Sequence, residues 1–172
     1  MTGSVRALVV TVSNRASAGV YDDRSGPVLA DGLRGLGFEV EGPRVVPDGE
    51  PVRAALRDAV AEDFDVVLTT GGTGLSPTDR TPEMTSAVLD RDVPGLAEAV
   101  RAHGVAAGVP TAALSRGVAG LAGSTLVVNL PGSPGGCRDA LTVLGPVLRH
   151  AVDQVRGGDH AGPGAARPRT RP

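Results

Sequence analysis

Three uninterrupted Val-rich apolar runs constrain the fold most: Val5 to Val12, Asp65 to Thr70 and Thr125 to Leu130. None alternates apolar with polar residues, so a strand built from any of them must be covered on both faces, the habit of a buried sheet. A weaker strand pattern, Phe38 to Val46, follows the first helical stretch, and Thr111 to Leu114 reads as an added edge strand. Helical spacing lies between the runs. Val28, Leu29, Leu33 and Leu36 share one face of a helix from Pro27 to Leu36 that Gly37 stops, and Ala55, Leu56 and Val60 repeat the pattern within Val52 to Val60. A last helix is expected from about Gly135 to Val155, with Leu141, Leu144, Leu148 and Val155 on one side and Gly145-Pro146 kinking or breaking it. Strand alternating with helix predicts an α/β protein.

At 172 residues the chain suits a single domain, expected over residues 1–156. From Gly157 to Pro172, seven of sixteen residues are Gly or Pro and almost none is apolar, which predicts a disordered, solvated tail. Seventeen basic residues against nineteen acidic ones give a net charge of −2, so nothing global recruits nucleic acid or an anionic membrane. Every basic residue is Arg. The absence of Lys excludes a Walker lysine, a lysine Schiff base and a lysyl-adenylate intermediate. The single cysteine, Cys137, allows neither an intramolecular disulfide nor a thiolate zinc cluster, and points to the cytoplasm. Arg6, the apolar run after it and Ala16-Ser17-Ala18 imitate a secretory signal, but the run falls short of an apolar region of about 7–15 residues and Asn14-Arg15 interrupts it. No stretch approaches the roughly 20 apolar residues that span a bilayer.

In a parallel sheet, ligands bind where strands run out into loops at their carboxyl ends. After the Asp65–Thr70 run comes Gly71-Gly72-Thr73-Gly74-Leu75-Ser76-Pro77-Thr78-Asp79-Arg80-Thr81-Pro82-Glu83, whose glycines bring backbone N–H groups close to a bound anion. It is neither a Walker motif nor the GxGxxG fingerprint, and a tight strand exit ahead of a helix start is the competing structural reading. Thr81-Pro82-Glu83 reads as an N-cap with proline at the first helical position, a structural role. Asp79, just before that helix, is placed to face a nucleotide and hold Mg²⁺, with a turn or cap as its alternative.

A second loop, Asn129-Leu130-Pro131-Gly132-Ser133-Pro134-Gly135-Gly136, offers a helix N-terminus and the Ser133 hydroxyl to an anion. Cys137, next to it, reads as a small buried thiol rather than a nucleophile. The third loop, from Ser13-Asn14-Arg15 to Ser25-Gly26-Pro27, contains an N-cap at Ser25 or Gly26; Arg15 and Arg24 suit either phosphate contacts or plain surface. Asp48 ends the second strand region and, taken alone, reads as a turn residue. His103, His150 and His160 show no metal or triad spacing. Carboxylates, hydroxyls, arginine and backbone amides remain, an inventory suited to phosphoryl or nucleotidyl transfer.

Together these segments resemble the molybdopterin adenylyltransferase family of molybdenum cofactor biosynthesis. The matching stretches are Thr11-Val12-Ser13-Asn14-Arg15-Ala16 with Gly19-Val20-Tyr21; Val46-Pro47-Asp48; Thr69 to Gly74 with Asp79 and Thr81-Pro82-Glu83; and Asn129 to Pro134. They run in order from Val5 to about Val155. The resemblance implies a three-layer α/β/α sandwich with a mostly parallel sheet, usually trimeric, that binds molybdopterin and Mg-ATP. It would transfer AMP to the pterin's terminal phosphate, release pyrophosphate and hand its product to a molybdenum-insertion enzyme. It also implies that Asp48 and Asp79 are the functional, Mg²⁺-holding aspartates. By the same resemblance Gly71, Gly72, Thr73 and Gly74 hold nucleotide phosphates, while Ser13, Asn14, Pro131, Gly132, Ser133 and Pro134 line a shared pterin pocket. Two departures stand out: many family members have Asp where this chain has Asn14, and many place Arg before the loop aspartate, where Thr78 precedes Asp79 and Arg80 follows it. A non-catalytic pterin-binding or scaffold protein of the same fold is the alternative, and a nucleotide-hydrolysing relative a third reading.

Overall fold

A computed structural model describes residues 3–158, so the expected tail lies, from residue 159 on, outside the described residues. The elements are β1 (Arg6–Val12), α1 (Asn14–Ser17), α2 (Ser25–Gly35), β2 (Glu39–Val46), α3 (Glu50–Ala61), β3 (Val66–Thr70), α4 (Thr81–Ser86), β4 (Arg91–Asp92), α5 (Pro94–Ala106), a 3-10 turn (Pro110–Leu114), β5 (Ala119–Ala122), β6 (Thr125–Leu130) and α6 (Pro134–Val155). One six-stranded sheet has the order β2-β1-β3-β6-β5-β4. The first four are mutually parallel; β5 runs antiparallel to β6, and β4 antiparallel to β5.

Helices cover both faces, which explains the unbroken apolar runs. Val9 and Val10 are adjacent and both fully buried, because Val9 faces the layer of α2, α5 and α6 while Val10 faces α3 and α4. The same division sends Val66 and Leu68 to one side and Val67 to the other. Each such side chain contributes on the order of 1.5–3 kcal/mol through burial, so a polar residue at any of these positions would cost the sheet one of its two partners. The architecture is the expected α/β/α sandwich. Among the described residues, no helix is long and apolar enough to cross a membrane.

Three local expectations are corrected. Thr111 to Leu114 is not an edge strand but part of the 3-10 turn after Pro110, with Ala112 packed against Gly104 of α5. The sheet's antiparallel end is instead supplied by the β4 and β5 pieces. Helix α6 runs unbroken through Pro146, since Leu144 and Leu148 on either side are fully buried against the sheet and the proline lies on the exposed face. The proposed caps shift as well. Thr81 is the first residue of α4 rather than its cap, and α2 begins at Ser25, with Asp23 Oδ1 accepting hydrogen bonds from the Ser25 and Gly26 amides.

Because β1, β2, β3 and β6 are parallel, their carboxyl ends share one edge of the sheet. Strand order then sets loop order along that edge: Asp48, Ser13-Asn14, the glycine loop, and Pro131 to Ser133.

Candidate functional site

Two adjoining cavities open along this edge. The smaller, about 320 Å³, is lined by Val12, Ser13, Asn14, Arg15, Asp48, Gly72, Thr78 and Asp79. The larger, about 520 Å³, lies between the glycine loop, the Pro131–Ser133 segment and the α5 region. Gly72 and Asp79 line both. Residues far apart in sequence thus meet, with Asp79 standing where the cavities join.

Asp48 is locked by backbone donors. Its Oδ1 accepts from the Gly49 amide at 2.6 Å and its Oδ2 from the Arg80 amide at 3.1 Å. Its own amide donates to Asn14 Oδ1 at 2.9 Å. That bond accounts for Asn at position 14: the position needs an acceptor, which the amide oxygen supplies as a carboxylate would. Burial pushes the Asp48 carboxyl above its ordinary value against the pull of these two amides, and the charges of Asp79 and Glu83 push the same way. Asp79 is less encumbered, accepting from the Ser76 amide at 3.3 Å.

Glycine is required at two points of the loop between them. Gly71 has φ +99° and a Cβ there would strike the Val12 carbonyl; Gly72 has φ +67° and a Cβ there would strike Thr81 Oγ1 and Asp48 Oδ2. The structural reading of these two glycines is therefore correct as far as it goes. It does not exhaust the loop, because the amides of Gly72, Thr73 and Gly74 meet no acceptor among the described residues. Three unpaired donors in succession beside a cavity leave hydrogen bonds for an anion to accept. The buried Thr81 hydroxyl oxygen beside Gly72 is also without a partner.

Ser133 Oγ accepts from the Gly136 amide and caps α6, leaving its hydroxyl hydrogen to donate. Ser13 likewise caps α1 through the Ala16 amide. Ser13 and Asn14 line the smaller cavity; Pro131, Gly132 and Ser133 line the larger; Pro134 begins α6 and lines neither. The two halves of the expected shared pocket are thus neighbours rather than one cavity. Arg15 lines the smaller cavity with its guanidinium 5.4 Å from the Tyr21 ring, whereas Arg24 occupies the N-cap position of α2 without a capping bond. Cys137 is fully buried, and burial pushes its thiol above the ordinary value. It is the small buried thiol that the sequence indicated.

Sequence reading missed Arg116. Its guanidinium donates to the Gly74 carbonyl at 2.9 Å, to the Asp79 carbonyl at 2.7 Å and to Glu83, while its amide donates to the Thr73 carbonyl at 2.8 Å. One side chain thereby holds both ends of the loop carrying Asp79. Sequence also gave no sign of the larger cavity's wall, Val100, Val109 and Leu114, or of Asp139 on α6. All of these come from segments outside the glycine- and proline-rich motifs.

Two carboxylates from separate loops suit Mg²⁺, which commonly takes one or two protein carboxylates and completes its shell with phosphates and water. Among the described residues no group of three or more His, Cys, Asp or Glu gathers to hold a metal ion by itself, this site included. The donor set thus fits a cation that arrives with a phosphate ligand.

Fold and site together define an α/β/α protein whose parallel strands carry, at their carboxyl edge, a glycine loop with unpaired amides and two facing carboxylates. Residues 8–150 match the family described as probable molybdopterin binding domain, and the chain belongs to that family. The molybdopterin adenylyltransferase of Haemophilus influenzae is 42% identical over 146 residues, covering 82% of this chain and 73% of that one. The molybdenum cofactor biosynthesis bifunctional protein of Chlorobaculum tepidum is 37% identical over 158 residues and 91% of this chain, which spans only 50% of that relative's length. Among solved structures, the molybdopterin biosynthesis Mog protein from Mycobacterium ulcerans superposes with a TM-score of 0.84 at 54% identity, over 88% of this chain and 99% of that one.

Proposed function

We propose that this chain is a molybdopterin adenylyltransferase, moving AMP from ATP to the terminal phosphate of molybdopterin. The observation that carries the reading is the convergence of Asp48 and Asp79 on one cavity beside the unpaired amides of Gly72, Thr73 and Gly74. Similarity to adenylyltransferases over most of the chain supports it independently.

The acceptor phosphate attacks the α-phosphorus in line, a new phosphorus–oxygen bond forms, and the bond to the bridging oxygen breaks so that pyrophosphate leaves with its electron pair. A phosphate monoester has a second pKa of about 6, so at neutral pH it is already a dianion and needs no strong general base. That agrees with two cavities lined by no histidine. Asp48 and Asp79 would hold Mg²⁺, which supplies charge neutralisation between the two phosphate groups when bound. The glycine-loop amides stabilise charge on the transferring group, and Ser13, Asn14 and Pro131 to Ser133 border the acceptor's approach. Homotrimeric assembly, a cytoplasmic setting and delivery of product to a molybdenum-insertion enzyme belong to the same proposal and rest on the family resemblance.

The test is incubation of purified protein with molybdopterin, ATP and Mg²⁺, with detection of pyrophosphate and adenylylated pterin. Equal release of both products is expected. Pterin binding without product would instead mark a scaffold protein, and ATP consumption without pterin a hydrolase.

A further inference from the structure

We propose that Asp139 is the residue by which the larger cavity recognises the pterin ring, accepting parallel hydrogen bonds from its N3–H and 2-amino group. The ligand's identity rests on the adenylyltransferase reading; the recognition chemistry rests on this cavity.

Asp139 stands in the second turn of α6, partly buried, and lines the 520 Å³ cavity. Its carboxylate has no hydrogen-bond or ion-pair partner among the described residues, and no Arg or His lines the cavity. Val100, Val109 and Leu114 make other parts of the wall apolar, a setting suited to the faces of a flat heterocycle. Both oxygens of such a carboxylate are left for a ligand's donors.

The donors must be paired. A carboxylate has two oxygens side by side and accepts best from two parallel N–H groups. The pterin ring offers them, N3–H and the 2-amino group lying adjacent on one edge. Adenine does not: its N6 amino group is flanked by acceptor nitrogens, so a second carboxylate oxygen would face a lone pair. Asp139 therefore selects the pterin for the larger cavity and gives adenine no such match. Asp79, common to both cavities, then lies where the acceptor phosphate and the nucleotide meet.

Titration calorimetry of the full chain with molybdopterin and with Mg-ATP tests this, comparing wild type with Asp139→Asn, a substitution of equal shape. The variant is expected to bind molybdopterin about tenfold or more weakly, with Mg-ATP affinity unchanged within about twofold. Competition adds an arm that needs no variant: free pterin should displace molybdopterin from wild type better than lumazine, which carries a carbonyl in place of the 2-amino group. Asp139→Asn should erase that preference and Asp139→Glu should retain part of it. Unchanged molybdopterin affinity, a loss falling on ATP instead, or equal competition by pterin and lumazine in wild type would each overturn the proposal. If Asp139→Asn proves unfolded by circular dichroism, the wild-type competition decides. Pterin preference without pyrophosphate release would remove the transfer reaction and leave Asp139 in place; transfer without pterin preference would do the reverse.

Discussion

The backbone N–H of Arg80 donates to the Oδ2 of Asp48 across 32 positions of sequence, at 3.1 Å. This bond ties the loop after β2 to the loop after β3, and it sets Asp48 beside the neighbour of Asp79. Neither carboxylate is placed by its own loop alone.

Replacing either carboxylate by its amide should therefore abolish chemistry without unfolding the chain. Asp79→Asn keeps the carbonyl that Arg116 holds, and Asp48→Asn keeps a side-chain oxygen for one amide. Each is expected to lower adenylyl transfer by about 100-fold or more, measured as pyrophosphate release, with the circular dichroism melt nearly unchanged for Asp79→Asn and lowered by a few degrees for Asp48→Asn, whose new NH2 faces a backbone N–H. Full activity in both variants would remove the proposed roles.

Gly72→Ala should damage both stability and the site. The new methyl would meet Thr81 Oγ1 and Asp48 Oδ2 in a backbone conformation that L-residues rarely adopt. A loss of about 1–3 kcal/mol in urea unfolding is expected, with a disproportionate fall in transfer rate as Asp48 is displaced.

Arg116→Gln should separate positioning from folding. It releases Gly74, Asp79 and Glu83 together, yet the side chain is 35% exposed and its ion pair with Glu83 counts for little in stability. We expect kcat to fall about tenfold with a small change in Tm, while Glu83→Gln, which removes one partner of three, retains most activity. The guanidinium holds the Glu83 carboxyl below its ordinary 4.5. A depressed folded value means that the pair's contribution is present above the unfolded value and fades as pH falls through the folded one, a dependence that Arg116→Gln should abolish.

Cys137 should resist labelling. It is fully buried with Sγ 3.4 Å from both Thr70 Oγ1 and the Pro131 carbonyl, and burial raises its thiol above 9.0. Reaction with Ellman's reagent at pH 8 should be slower by about 100-fold or more in native protein than in urea. Since the unfolded thiol ionises first, its linkage removes stability as pH rises past the unfolded value.

Pro146→Ala should stabilise the chain. The proline is exposed on a helix held by Leu144 and Leu148, and the substitution restores an amide donor toward the Thr142 carbonyl; a gain of about 1–3 kcal/mol in chemical unfolding is expected.

The sandwich was legible before any coordinates, because an apolar run such as Val5 to Val12 admits only a strand buried on both faces, and helical spacing supplies the covers. The three loops that the sequence singled out at the strand ends were legible for a related reason: Gly71, Gly72 and Pro131 are choices of backbone geometry, and backbone geometry is written locally, whereas Asp48 read alone as a turn residue. What sequence left undecided depends on distance through space. Thr111 to Leu114 suits a strand by composition, but its packing against α5 makes it a turn; Pro146 should break a helix, but two buried leucines hold it. Arg116 and Asp139 carry no local signature at all, since what singles out each is its surroundings: carbonyls 37 and 42 residues away for Arg116, and apolar walls from other segments for Asp139. Hydrophobic period and turn chemistry were fixed by the chain itself, while the meeting of Asp48 with Asp79 and the division of the edge into two cavities were settled only by the order in which parallel strands lie side by side.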